Sequence, residues 1–339
     1  MIGTILISWQ EADMQQQVPV TIVTGWDGAG TARLIGHLAR TMDPQRVAVA
    51  ASGPTGRVGL GPAHFVEIQP EISERSAGCS CCAVRSDLVR VVSRLSRRKQ
   101  PPDWILVEAA GWTDPVLAAQ TFLIDPGLAR LARLDAIVTT VDGPGAGARI
   151  ASGLPPWLHE TAAEQVAMAD RIVISGATEA TAEATALGVR AVASASRVAQ
   201  VVVSADGCVE PSAVLGVEAF GPAGPARLGA VGTATFDPSS ERVATVRVEA
   251  AGPLDGDRLE AWLDRLHEGE HQRVLRLEGV VAIAGMERRL VCQGVGSYLN
   301  RWRGRRWTPG EARRSRLVVA GRDFDGAALS ASLSDCVAA

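Results

Sequence analysis

The apolar positions of this chain follow two periods, and they alternate. Val18 to Thr24 is a short β-rich run, followed by a glycine loop from Gly25 to Gly30 and a helical pattern carrying Leu34, Ile35 and Leu38. Further β-type runs cover 47–51, 104–107, 136–141 and 171–174, with helical patterns at 84–95, 116–122 and 160–169. Such alternation predicts a parallel sheet covered by helices on both faces, whose strands read as continuous apolar runs because both sides are buried. From Glu210 to Pro238 the periodicity fades and Pro and Gly accumulate, which predicts a linker. Beyond it the runs at 243–248, 259–266, 274–283, 289–293, 317–320 and 327–333 predict a smaller α+β domain in the order β-α-β-β-β-α. The expected organisation is therefore a domain at 14–209, a linker at 210–238 and a second domain at 239–339.

Composition narrows the class. The 339 residues suit two domains, and 47% apolar and 21% charged residues with a net charge of −3 exclude a disordered or a generally nucleic-acid-coating protein. Six cysteines are too few for a disulfide framework, and Cys79, Cys81 and Cys82 crowd together as metal ligands do in a reducing compartment. The N-terminus lacks the basic region of a signal peptide, no membrane span is evident, and the expected location is cytoplasmic. Met14 is an alternative start. Lys99 is the sole lysine, so a lysine-dependent step elsewhere is excluded.

The stretch from Thr24 to Arg33, Thr-Gly-Trp-Asp-Gly-Ala-Gly-Thr-Ala-Arg, lies between a strand and a helix and has the frame of a P-loop, which points backbone amides at phosphate oxygens. Taken alone, glycines at a strand-to-helix turn serve conformation as readily as phosphate binding. Four further stretches add specificity: Glu74 to Cys82 with its Gly-Cys-Ser-Cys-Cys run, Glu108 to Pro115, Ala119 to Phe122, and Glu164 to Arg171. In this order they resemble the CobW family of P-loop GTPases and metallochaperones. Arg276 to Gly279 and Arg316 to Asp323 are similar to the family's C-terminal domain. The resemblance runs from about Val18 onward. It implies an α/β fold: a P-loop NTPase-type parallel sheet followed by a smaller α+β domain of the CobW C-terminal type.

What the resemblance implies about chemistry has to be read residue by residue. Gly25, Gly28, Gly30, Thr31 and Ala32 would line the nucleotide, with Glu108 and Gly111 at the Walker-B region. The family's Lys and Ser or Thr, which meet the phosphates and Mg²⁺, fall on Thr31 and Ala32. Arg33 is expected to point outward. The guanine-reading Asn-Lys-x-Asp falls on Ser175 to Thr178, with no carboxylate left, and the acidic switch segment falls on Ala51 to Gly59, with no Asp or Glu. A buried charge left without its partner costs about 3 to 5 kcal/mol, or roughly two to four orders of magnitude in affinity. The expectation is a pseudo-GTPase with weakened or lost binding of GTP and Mg²⁺.

The cysteine cluster carries the strongest chemical expectation. Three thiols just before a helix suit Zn²⁺ or a related ion, with Glu74, water or a client ligand in the fourth position; small buried residues or a redox pair are the plainer reading. Cys208, Cys292 and Cys336 are isolated and read as packing residues. His267-Glu268-Gly269-Glu270-His271 matches a zinc-protease spacing but holds Gly where an apolar helix is needed, and reads as a solvated loop. Arg301, Trp302, Arg303, Arg305, Arg306 and Trp307 are basic and aromatic as an RNA or ribosome contact would be, and equally as a surface loop would be. The functional expectation is metal binding and transfer to a client protein through Cys79, Cys81 and Cys82. A zinc-responsive adaptor and a working GTPase with an unusual P-loop stand beside it.

Overall fold

The computed structural model describes residues 17–25, 28–43, 46–51, 65–67, 80–109, 115–154, 160–196, 199–221, 243–267, 274–296, 298–322 and 325–338. The first domain is built on a seven-stranded sheet, ordered β3-β2-β4-β1-β5-β6-β7. Its strands are β1 (Val18–Thr24), β2 (Val47–Ala51), β3 (Phe65–Glu67), β4 (Trp104–Glu108), β5 (Ala132–Asp142), β6 (Arg171–Ser175) and β7 (Gln200–Val203), all paired in parallel. The helices are α1 (Gly28–Thr41), α2 (Ser80–Ser96), α3 (Pro115–Ile124), α4 (Gly143–Ala151), α5 (Glu160–Met168), α6 (Ala182–Ala195) and the single turn α7 (Pro211–Val214).

Alternate residues of each strand feed opposite faces, so each face has its own core. Val23, Val49 and Leu106 pack under Leu34, Ile35 and Leu38 of α1. Ile22, Ala50, Ile105 and Ile137 pack on the other face beneath Leu88, Val92, Phe122 and Val166 of α2, α3 and α5. All strands end at one rim, and the order reverses at β1, which has β4 on one side and β5 on the other. In open sheets a crevice for ligands forms at such a reversal.

The second domain is a five-stranded antiparallel sheet, β11-β10-β9-β12-β8. It comprises β8 (Val243–Ala250), α8 (Gly256–His267), β9 (Val274–Val281), β10 (Arg288–Val295), β11 (Tyr298–Arg306), β12 (Ser315–Arg322) and α9 (Gly326–Ser334). The segment read as a possible basic loop, Arg301 to Arg306, is strand β11, which gives one strand more than the sequence predicts. Alternation is hidden there because Arg occupies both faces. Leu259, Trp262, Leu263 and Leu333 of α8 and α9 cover one face. The other face, through Val243, Leu275, Val295 and Ala320, joins the core beneath α3, α5 and α6.

The two sheets are fastened by buried charge. Arg276 on β9 donates to Met168 O at 2.8 Å, to Asp170 Oδ1 at 2.5 Å and to Glu278 Oε2 at 2.8 Å, and its guanidinium lies 4.9 Å from the Phe220 ring centroid. Asp170 Oδ2 accepts from the Ile137 amide at 2.7 Å. Nearby Arg322 pairs with Glu164, and Gln120 of α3 donates to Val295 O at 2.7 Å.

The first part of the stretch expected to be a linker is packed against the sheet. Val214 and Leu215 enter the α1 core, and Asp135 on β5 accepts from the amides of Val217 and Glu218 at 3.4 and 2.8 Å. Residues 222–242 lie outside the described residues. No helix among the described residues is long and apolar enough to cross a membrane.

Candidate functional site

The loop after β1 sits at the strand-order reversal. Gly25 has φ +155°, and a Cβ there would lie 2.3 Å from Thr140 Oγ1 and 2.6 Å from Thr140 O on β5, so only glycine lets the loop leave the strand this close to its neighbour. Trp26 and Asp27 lie outside the described residues. Helix α1 begins at Gly28, and Gly30 is buried at its first turn.

Thr31, at the position where a P-loop carries Lys, is 2% exposed and turned inward: its Oγ1 lies 2.9 Å from Thr140 Oγ1. Thr140 Oγ1 also donates to Thr24 O at 3.3 Å. Ala32 follows with no polar atom on its side chain. Arg33 is exposed, as its position predicts, and reaches Asp206 O at 3.3 Å instead of turning back over the glycine loop. Glu108 is buried at the end of β4, in register with Val23 and Ala51. Gly111 lies outside the described residues.

At the end of β6, the loop in the place of a guanine-reading motif closes on itself. Thr181 Oγ1 accepts from the Thr178 amide at 2.9 Å, lies 2.9 Å from Thr178 Oγ1 and donates to Gly176 O at 2.6 Å. Against it lies the loop after β7, where Ala205 O accepts from the Gly176 amide at 3.2 Å. That loop supplies a carboxylate the sequence reading did not single out. Asp206 Oδ1 accepts from the Cys208 amide at 2.9 Å and from Ser204 Oγ at 3.0 Å, and these hydrogen bonds hold its carboxyl below the usual range. A short Ser-x-Asp-x-Cys turn was the available signal.

The described part of the loop offers backbone and glycine, with no cation at Thr31, no magnesium hydroxyl at Ala32 and no carboxylate at Thr178.

Of the expected metal ligands, Cys79 and Glu74 lie outside the described residues, while Cys81 and Cys82 stand in the first turn of α2. Leu88, Val91, Val92 and Leu95, at helical spacing, seat α2 on the sheet. The helix leads back to the start of β4, so it runs against the strands and its first turn lies at the rim that holds the glycine loop. Among the described residues, which hold only two of these four expected ligands, no group of three or more His, Cys, Asp or Glu could hold a metal. Cys292 and Cys336 are packed in the core of the second domain, where burial pushes the Cys292 thiol up to about 12 and also raises that of Cys336; Cys208 is half-buried and belongs to none of the cores. His267 ends α8, and the remainder of that His-Glu pattern lies outside the described residues.

A glycine loop on the central strand, a helix directly behind it and a parallel sheet define a P-loop-type α/β domain, here joined to an antiparallel second domain. Residues 19–205 match the family described as CobW/HypB/UreG, nucleotide-binding domain, and residues 243–337 match the cobalamin synthesis protein cobW C-terminal domain. The chain belongs to the CobW family. A protein named zinc chaperone CobW from Pseudomonas aeruginosa is 30% identical over 95% of this chain and 92% of its own length. Another of that name from a Sinorhizobium species is 27% identical over 95% of this chain and 98% of its own. The zinc-bound YjiA GTPase from E. coli shares the fold, with a TM-score of 0.71 at 21% identity, covering 95% of this chain and 99% of that one.

Proposed function

We propose that this protein binds zinc, or a closely related ion, through Cys79, Cys81 and Cys82 and passes it to a client protein, and that GTP hydrolysis does not drive the transfer. The observation that carries the metal reading is the placement of Cys81 and Cys82 in the first turn of α2, at the rim where the family's nucleotide loop sits. A helix N-terminus favours negative charge, which lowers a thiol's pKa and supplies the thiolate a soft cation needs. Three thiolates leave the fourth tetrahedral position to Glu74, water or an incoming client ligand, through which thiolates can be replaced one at a time. The names of the relatives from Pseudomonas and Sinorhizobium support zinc as the cargo.

The inward-turned Thr31 supports the second half of the reading. In this fold the cation at that position meets the transferring phosphates, and phosphoryl transfer depends almost wholly on positioned charge. Release of the metal then follows competition by the client's own ligands.

The test has two arms on reduced full-length protein. Zinc competition against a chromophoric chelator should give one tight site in the wild type and a loss of at least tenfold in affinity in Cys81→Ser and Cys82→Ser. A fluorescent GTP analogue with Mg²⁺ should show no saturable binding up to roughly millimolar ligand, the range expected once the paired cation is gone. Micromolar binding of the analogue would restore a nucleotide-gated mechanism, and unchanged zinc affinity in both serine variants would refute the metal site.

A further inference from the structure

The chain's charge is divided unequally. Residues 287–316 contain nine arginines and two glutamates, a surplus of seven positive charges, whereas the whole chain carries −3, so the other residues together carry −10. This segment forms β10, β11, the loop after it and the start of β12, and β11 is the edge strand of its sheet. Among the described residues no strand pairs with the outer edge of β11, whose backbone is in regular register with β10 from Tyr298 to Arg303; the Arg301 amide donates to Asn300 Oδ1 at 2.9 Å, a side-chain contact that an added strand has to displace or bypass.

Five of the nine arginines are answered within the molecule. Arg289 and Arg305 pair with Glu311, Arg306 with Glu287, Arg301 with Glu260, and Arg316 with Glu249. Arg288, Arg303, Arg313 and Arg314 are exposed and form no ion pair among the described residues. Arginine on an edge strand keeps two copies from pairing edge to edge, since like charges would then face each other across the new ladder. The same charge selects a partner strand of opposite sign.

The aromatic residues decide between a protein and a nucleic acid. Base stacking requires open ring faces. Trp307 is half-buried with one ring face covered by the Arg289 guanidinium, 4.7 Å from the centroid, and Trp302 is half-buried on β11 opposite Val291. An extended peptide needs no open ring. It uses the unpaired amides and carbonyls of the strand edge, which a nucleic acid backbone does not match.

We propose that the outer edge of β11, from Tyr298 to Arg303, receives an extended acidic segment of a partner protein as an added strand, with Arg303, Arg313 and Arg314 meeting its carboxylates. This does not depend on the metal reading above.

The test is fluorescence anisotropy on the full-length chain with a labelled synthetic peptide that alternates glutamate with valine. Its arms are the same peptide N-methylated at every second residue, the peptide with lysine in place of glutamate, and labelled oligouridylate. The expected result is saturable binding of the glutamate peptide that weakens with salt, a loss on the order of tenfold on N-methylation and on Arg303→Glu, and no binding of the lysine peptide. Arg314→Glu, on a loop outside the sheet, is the second variant and should weaken binding without touching the fold, as checked by circular dichroism. Equal binding of the N-methylated peptide would leave only charge attraction and overturn the added strand. Oligouridylate binding more tightly than the peptide would overturn it in favour of RNA.

Discussion

Replacing Arg276 by Met removes the cation that, among the described residues, pairs with both Asp170 and Glu278. The side chains of Arg276, Asp170 and Glu278 are each no more than 4% exposed, so the guanidinium and not bulk solvent answers the two carboxylates. Asp170 keeps the Ile137 amide, whereas Glu278 loses its hydrogen bond from Arg276 and Met168 O loses a donor. Breaking a buried ion pair from one side costs about 3 to 5 kcal/mol, part of which Glu278 can recover by taking up a proton. Burial already pushes its carboxyl above the ordinary glutamate range, against the pull of Arg276.

The expected loss is therefore about 3 kcal/mol, seen in urea unfolding as a midpoint shift on the order of 1 M. Glu278→Gln makes the sharper test, because it removes the surplus negative charge and keeps an oxygen for Arg276. It should be neutral or stabilising. A carboxyl whose folded pKa is raised contributes stability below its unfolded pKa and loses it as pH rises toward the folded value. The wild type should then lose stability relative to Glu278→Gln as pH rises from about 4.5, the ordinary glutamate value. A loss below about 1 kcal/mol in Arg276→Met, or strong destabilisation of Glu278→Gln at pH 7, would show that the joint is wetter or differently charged than this reasoning holds.

Other expectations follow from single contacts. Gly147→Ala would set a Cβ 1.7 Å from Ala184 O and force α4 from α6, a cost of about 1 to 3 kcal/mol of overpacking read as a lower melting temperature. Asp135→Ala should leave the Val217 and Glu218 amides without their buried acceptor, and hydrogen exchange should speed up at 217–219 before it does in β5. With a thiol reagent, Cys292 should stay silent until the protein unfolds, while zinc should slow modification of Cys79, Cys81 and Cys82 and leave Cys208 unchanged.

The parallel sheet was legible because its strands are buried on both faces: Val18 to Thr24 and Ala136 to Val141 are near-continuous apolar runs with glycine or acidic ends. Strand β7, Gln-Val-Val-Val with exposed ends, is too short to stand out from the helix before it, and α6 is hidden by its many alanines. The inward turn of Thr31 could not be read, since its partner Thr140 lies on another strand more than a hundred residues away. The stretches around Gln120, Glu164, Asp170, Arg276 and Arg322 were legible as a pattern and illegible as a purpose. Only the fold shows that they meet at the joint between the sheets, where a charge is tolerable when its partners arrive from distant parts of the chain.

The uneven charge described for β10 to β12 also bears on how the molecule meets others in solution. A body with a positive end and a negative remainder turns in the field of a charged surface before it touches it, so its encounters start from one preferred approach. At low ionic strength the positive end of one copy is drawn to the negative flank of the next, an open, head-to-tail attraction that does not close into a defined oligomer. Its concentrated solutions should therefore grow turbid on dialysis into dilute buffer and clear again when salt shortens the screening length to about 8 Å.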